Sequence, residues 1–215
     1  MMERAVRLGL THLAITDHER IDAAQRARDL APPTLQVIVG EEIRSADGDI
    51  LGIYLERVVA PGMSAADTAA AIREQGGLVG LPHPFDSFRS SGGSRAGDAE
   101  QKLEALAGIV DYVEVHNARA YRDANPLAAA FAARHGLPGV ASSDAHSITE
   151  LGIASTVLPG SFSSADELRA LLPAAVVQPG RASYYLRLWT PIAKLVNRSR
   201  GNGRIRSGSR GPEPS

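Results

Sequence analysis

The sequence predicts one α/β domain built on a largely parallel sheet. Helix-forming stretches alternate with short, β-branched apolar runs along most of the 215 residues, and that alternation favours parallel strand pairing. Acidic and histidine clusters sit at the ends of the apolar runs: Thr16-Asp17-His18, Gly40-Glu41-Glu42, Gly48-Asp49, Pro82-His83-Pro84, Glu114 with Asn117, and Ser143-Asp144-Ala145-His146. In parallel barrels reactive groups gather at the C-terminal ends of strands. An apolar content of 44% is that of a chain with a globular core.

Met2 to Leu8 reads as a helix closed by Gly9, and Leu10 to Ile15 as the strand that delivers Asp17 and His18. Ile21 to Leu30 is helical until Pro32-Pro33 stops it. Leu35 to Val39 is a β-branched strand leading to Glu41 and Glu42, and Asp49 to Tyr54 is a second short strand. Ser64 caps a helix from Ala65 to Gln75, ended by Gly76-Gly77, and Leu78 to Leu81 is the strand before His83. Residues 86–98 read as a polar, glycine-rich loop, Ala99 to Ala107 as a helix, and Ile109 to Val115 as the strand carrying Glu114. Asn125-Pro126 opens a helix from Leu127 to His135, which ends at Gly136; Pro138 to Ser142 is the strand before Asp144 and His146; Ser164 caps a last helix, Ala165 to Leu172.

Residues 1–182 form the expected domain, and 183–215 an amphipathic helix, Tyr184 to Val196, followed by a disordered Gly/Ser/Arg/Pro tail. Residues 181–215 hold eight basic residues against one acid, Glu213, whereas residues 1–180 hold 15 basic and 23 acidic residues. The acidic body suits metal cations. The basic tail is a solvated extension or a weak contact for nucleic acid or anionic lipid. No cysteine is present, so disulfides and thiolate metal sites are excluded and any metal is held by nitrogen and oxygen. The N-terminus lacks the apolar core of a secretory signal, and no apolar run reaches the roughly 18 residues of a membrane span. A cytoplasmic location is the expectation.

Imidazole and carboxylate together bind divalent metals, and several such clusters at strand mouths suggest strands converging on one polynuclear site. Some residues have plainer readings. Asp49 is either a ligand or a turn residue beside Gly48. Glu41 rivals Glu42. Asp144 is a ligand or a helix cap. His12, inside a strand, and His135, at a helix end, read as structural, while strand alternation leaves His116 open.

Thr-Asp-His after a strand, then Gly-x-Glu, His-Pro and Ser-Asp-Ala-His, in this order and spacing over residues 1–182, resembles the PHP (polymerase and histidinol phosphatase) superfamily. The chain resembles the small, stand-alone metal-dependent phosphoesterases of that family. The resemblance implies a distorted (β/α)7 barrel with two or three divalent ions, drawn from Mn, Zn, Fe or Mg. It implies metal-ligand roles for His18, Glu42 (bridging two ions), His83, Asp144 and His146, with Asp49 standing where relatives carry a histidine. The family opens with a strand bearing His-x-His and a Ser-Asp-Gly loop, and this sequence starts within the helix that would come next. The expectation is therefore a barrel short of about one strand, from a late annotated start or a real loss, and fewer ions than in relatives.

The implied reaction is hydrolysis of a phosphate ester by a metal-activated water attacking phosphorus. Asp17 orients His18 or handles a proton, Arg119 contacts phosphate in bidentate fashion, and Glu114 and Asn117 support the site or touch substrate. A phosphorylated small molecule or a short oligonucleotide is the expected substrate. A non-catalytic module binding a phosphorylated ligand or a partner protein is the alternative, and an amide or lactone hydrolase a weaker third.

Overall fold

Residue alternation in two neighbouring strands sets the architecture. The computed structural model describes residues 1–86, 96–121 and 123–181, with backbone alone for 96–100. β1 (His12–His18) and β2 (Gln36–Arg44) pair in parallel, His12 opposite Gln36 and His18 opposite Glu42. One face carries Leu13, Val37, Val39 and Ile43, packed against Ala5 of α1 (Met2–Arg7) and Ala24 and Ala27 of α2 (Asp22–Asp29). The other face carries His18, Ile38, Gly40 and Glu42.

β3 (Asp49–Ile53) follows a tight turn in which Ser45 N donates to Gly48 O at 3.0 Å. Such a turn is too short for a crossover, so β3 runs antiparallel to β2 and also to β4 (Leu78–Leu81). β5 (Tyr112–Asn117) and β6 (Gly139–Ser142) continue in parallel from β4, giving a six-stranded sheet in the order β1-β2-β3-β4-β5-β6. The expected parallel pairing is interrupted at β3. No helix lies between β2 and β3, and the reversal brings Asp49, at the start of its strand, opposite Arg44 at the end of β2. β2 also runs on through Glu41 and Glu42, which lie within the strand instead of beyond it.

The helices follow their capping signals. Ser64 Oγ accepts from Asp67 N at the start of α3 (Ala65–Arg73), and Ser164 Oγ accepts from Glu167 N at the start of α6 (Ala165–Leu171). Between them lie α4 (Ala96–Ala107), which begins three residues before the expected Ala99, and α5 (Ala124–His135), closed by left-handed Gly136. The antiparallel ribbon of β7 (Ser155–Val157) and β8 (Val176–Gln178) had no signature in the sequence. Most of the expected loop at 86–98, the expected helix at 184–196 and the basic tail lie outside the described residues. Among the described residues no helix is long and apolar enough to cross a membrane.

The sheet curls into an open half-barrel, so that its two edge strands border one cavity of about 570 Å³, lined by Ala14, Ile38, Ile53, Tyr112, Glu114 and Val140 among others. Phe162, Leu168 and Leu172 pack on Ile38, Ile53 and Tyr112 at its floor. His12 stacks on Phe162 with centroids 3.8 Å apart, and its Nε2 meets the Phe162 carbonyl at 2.8 Å, a structural role. Tyr112 occupies the floor only because position 80 has no side chain: a Cβ on Gly80 would lie 2.3 Å from the tyrosine ring. Gly80→Ala therefore overpacks the floor and lowers stability by about 1–3 kcal/mol. A fall in the urea midpoint at unchanged slope checks this, and an unchanged midpoint contradicts the packing described.

Candidate metal centre

Side-chain alternation sends the two consecutive acids of β2 to opposite faces. Glu42 turns into the half-barrel, where Oε2 lies 3.6 Å from His18 Nδ1 and Oε1 lies 3.4 Å from His83 Nε2. Glu41 turns outward into the helix layer, fully buried, and accepts a hydrogen bond from Val59 N at 2.9 Å. Burial pushes its pKa up to about 7, against the Val59 hydrogen bond. Of the two rivals, Glu42 is the one that meets the histidines.

His83 leaves β4 with a backbone φ of 26°, and its N–H donates to Glu114 Oε2 at 3.1 Å. Asp144 leaves β6 with φ 43°. Non-glycine residues held in this region cost about 1–3 kcal/mol each and persist where surrounding contacts over-determine them. The contacts here centre on Asn117. Its Nδ2 donates to Glu114 Oε2 at 3.2 Å and to Asp144 Oδ2 at 3.3 Å, and its Oδ1 accepts from Arg119 N at 2.9 Å. Asn125 holds the Asn117 main chain, accepting from its N–H at 3.0 Å and donating to its carbonyl at 3.1 Å. His146 closes the group, its Nδ1 at 2.9 Å from the Asp144 carbonyl and 3.5 Å from Asp144 Oδ1.

These groups set one another's charge. Burial disfavours a charged His83, yet the Glu42 hydrogen bond and the charges of Glu114, Glu42 and Asp144 prevail and raise its pKa to about 10. Burial would raise Glu42, but the His83 hydrogen bond and the charges of His18, His83 and His146 hold it below its ordinary value. Burial raises Glu114 against the pull of His83, and raises Asp144 against His146 and His83.

The other expected residues stand apart. Asp49 shares a strand face with Leu51 and so points into the half-barrel, but its partner is Arg44 at 3.4 Å. Asp17 alternates to the face of β1 opposite His18 and is exposed. The Arg119 guanidinium is paired with buried Glu150; removing one partner of such a pair strands a buried charge at a cost of about 3–5 kcal/mol. His116 Nε2 meets the Gly180 carbonyl at 2.7 Å, and His135 Nε2 meets Glu104 Oε2 at 2.9 Å. Asn125 had been read only as a helix opening, and Glu150 not at all. A lone acid four residues beyond His146 carries no periodic signal of its burial.

The donor set suits hard or borderline divalent ions: imidazoles and carboxylates without sulfur. Two donors bound about 2.1 Å from one ion at tetrahedral angles lie roughly 3.4 Å apart, close to the His83–Glu42 separation of 3.4 Å. Among the described residues no three His, Asp or Glu side chains converge on a single ion position, so the donors stand as ion pairs. Glu42 would offer one carboxylate oxygen toward each of two histidines.

A family model described as PHP-associated matches residues 122–176. An uncharacterized protein of Methanocaldococcus jannaschii is 32% identical over 119 residues, covering 55% of this chain and 64% of that protein. A two-domain protein from Bacteroides vulgatus, described as containing a predicted PHP-like metal-dependent phosphoesterase, superposes with a TM-score of 0.63 at 18% identity over 82% of this chain and 60% of its own. PsfC from Pseudomonas syringae superposes with a TM-score of 0.64 at 19% identity over 93% and 88%. The chain thus spans under two thirds of the length of the archaeal and Bacteroides proteins.

Charge coupling gives the metal-free protein a definite pH response. The stabilisation from protonated His83 is complete below its ordinary value of 6.5 and is lost as pH rises through about 10. Glu114 and Asp144, also raised, act in the same sense at lower pH. In chelator, thermal stability falls from pH 6.5 to 10, and His83→Gln flattens the fall; an unaltered slope in that variant contradicts the pairing. Metal ligands must be deprotonated, so the stabilisation by added Mn²⁺ grows over the same interval.

Proposed function

We propose that the chain is a PHP-type, metal-dependent hydrolase of phosphate esters, with Glu42 at the centre of its metal site, a reading supported by the PHP-associated match over residues 122–176. The observation that carries this reading is the placement of Glu42, one carboxylate oxygen facing His18 and the other His83. His83 and Asp144 would complete one ion's coordination beside Glu42, and His18 and His146 another's. When bound, divalent ions supply neutralisation of phosphoryl charge, a more acidic water and a stabilised leaving group. Glu114 holds the His83 main chain and Asn117 holds Asp144. Asp49, facing inward beside Arg44, is a reserve carboxylate. The substrate class is a phosphorylated small molecule or a short oligonucleotide, turned over in the cytoplasm, with the basic tail as a further contact for nucleic acid.

The barrel of this reading has a seventh strand between β1 and β6. Support comes from β1, which among the described residues pairs with β2 alone and borders the cavity with its other edge. Thr11 O accepts from Gln36 N at 2.8 Å and Glu19 N donates to Glu42 O at 3.1 Å. The odd-numbered residues therefore bond to β2, and His12, Ala14, Thr16 and His18 turn their main-chain groups toward the cavity edge. In the family that strand carries His-x-His. The direct pairing of these donors with one another, with no three converging on one ion position among the described residues, favours a second reading, a module that binds a phosphorylated ligand without hydrolysing it.

Metal content and turnover separate the two. The enzyme reading expects two or more ions per chain by mass spectrometry and hydrolysis of p-nitrophenyl phosphate or a short oligonucleotide with Mn²⁺. Glu42→Gln should reduce turnover by more than the roughly 10–100-fold that loss of an outer partner costs. Steep loss of activity with salt selects the oligonucleotide. Loaded protein that hydrolyses neither substrate overturns the enzyme reading and leaves the binding module.

A further inference from the structure

Glu150 belongs to no cluster that the sequence marks, yet it is 1% exposed and its carboxylate meets both Arg119 and the main chain of His146. Its Oε2 accepts from His146 N at 3.0 Å and from Ser147 Oγ at 2.9 Å, and its Oε1 takes the Arg119 guanidinium. The main chain of Arg119 is tied in turn to Asn117, which bridges Glu114 and Asp144. A single carboxylate thus joins the loop after β5 to the loop after β6.

We infer that Glu150 is a positioning residue: it fixes the main chain that carries the His146 imidazole and, through Arg119, the loop that carries Asn117. The Asp144 carbonyl engages Nδ1 of that imidazole at 2.9 Å, which leaves Nε2 as the nitrogen presented to a cation. Arg119 shares the positioning role. Its side chain is 13% exposed and its charge is matched by Glu150, so its task is to brace the two loops and not to hold phosphate. The buried charge pair is what rigid bracing requires. A neutral residue at 150 would leave Arg119 to pull the loop elsewhere, and a neutral residue at 119 would leave Glu150 uncompensated.

This inference rests on the metal-centre reading, and the experiment separates the two. Mn²⁺ affinity and stoichiometry are measured by calorimetry on the full chain, for wild type, Glu150→Gln, His146→Ala and the double variant. Glu150→Gln should weaken the ion held by His146 by about 10–100-fold and the ion beside Asp144 by less, and its effect on the His146 ion should vanish once His146 is alanine. The ring ¹⁵N shifts of His146 should move from a single tautomer to a mixture in Glu150→Gln. If Glu150→Gln unfolds the protein, the charge-free pair Arg119→Met with Glu150→Gln replaces it and should show the same selective loss. Equal weakening of all ions, or additive effects with His146→Ala, overturns the positioning role while the metal centre stands. Wild type that binds no Mn²⁺ overturns both.

Discussion

Crowding of buried negative charge at one end of the sheet is the constraint on which this structure depends. Glu42, Glu114 and Asp144 all feel one another's charge, and Asn117 touches the latter two at once. Carboxylates about 5 Å apart repel by roughly 3 kcal/mol at an effective dielectric of 20. The folded chain offsets this with a protonated His83, the hydrogen bonds of Asn117 and the nearby imidazoles. Left-handed backbone at His83 and Asp144 adds local strain. The same clustering is what the proposed metal centre would relieve, because a bound cation would neutralise these carboxylates.

Topology brings the charge together. Parallel pairing of β1 with β2 aligns His18 with Glu42, and parallel β4, β5 and β6 deliver His83, Glu114 and Asp144 at the same end. Curling of the sheet then sets β1 across a common cavity from β6. The half-barrel can curl over a filled floor because Gly80 yields its side-chain space to Tyr112, and Phe162 closes the floor from below.

Much of this was legible in the amino-acid order, because two periodicities and a few motifs carry it. The apolar runs located the cores of β1, β2, β4 and β5, and Ser64, Ser164 and Gly136 marked helix limits that the structure keeps. The choice between Glu41 and Glu42 follows from period-two geometry once the length of β2 is known, but the strand was expected to end before both acids. The reversal of β3 was missed because a four-residue turn competes poorly for notice against a repeating helix–strand pattern. Arg119 and Glu150 were illegible for a different reason. Their pairing spans 31 residues and two loops, and no local pattern encodes which charge a buried guanidinium will meet. Asn125 was hidden behind its own helix-opening signal, though it holds the main chain of Asn117.

Anomalous diffraction from crystals grown with Mn²⁺ tests the central claim most directly. The account predicts anomalous peaks about 2.1 Å from each carboxylate oxygen of Glu42, one shared with His83 and one with His18. Crystals saturated with Mn²⁺ that show no peak beside Glu42, while His83 remains paired to it directly, would contradict the claim that these separate strands fold to share cations.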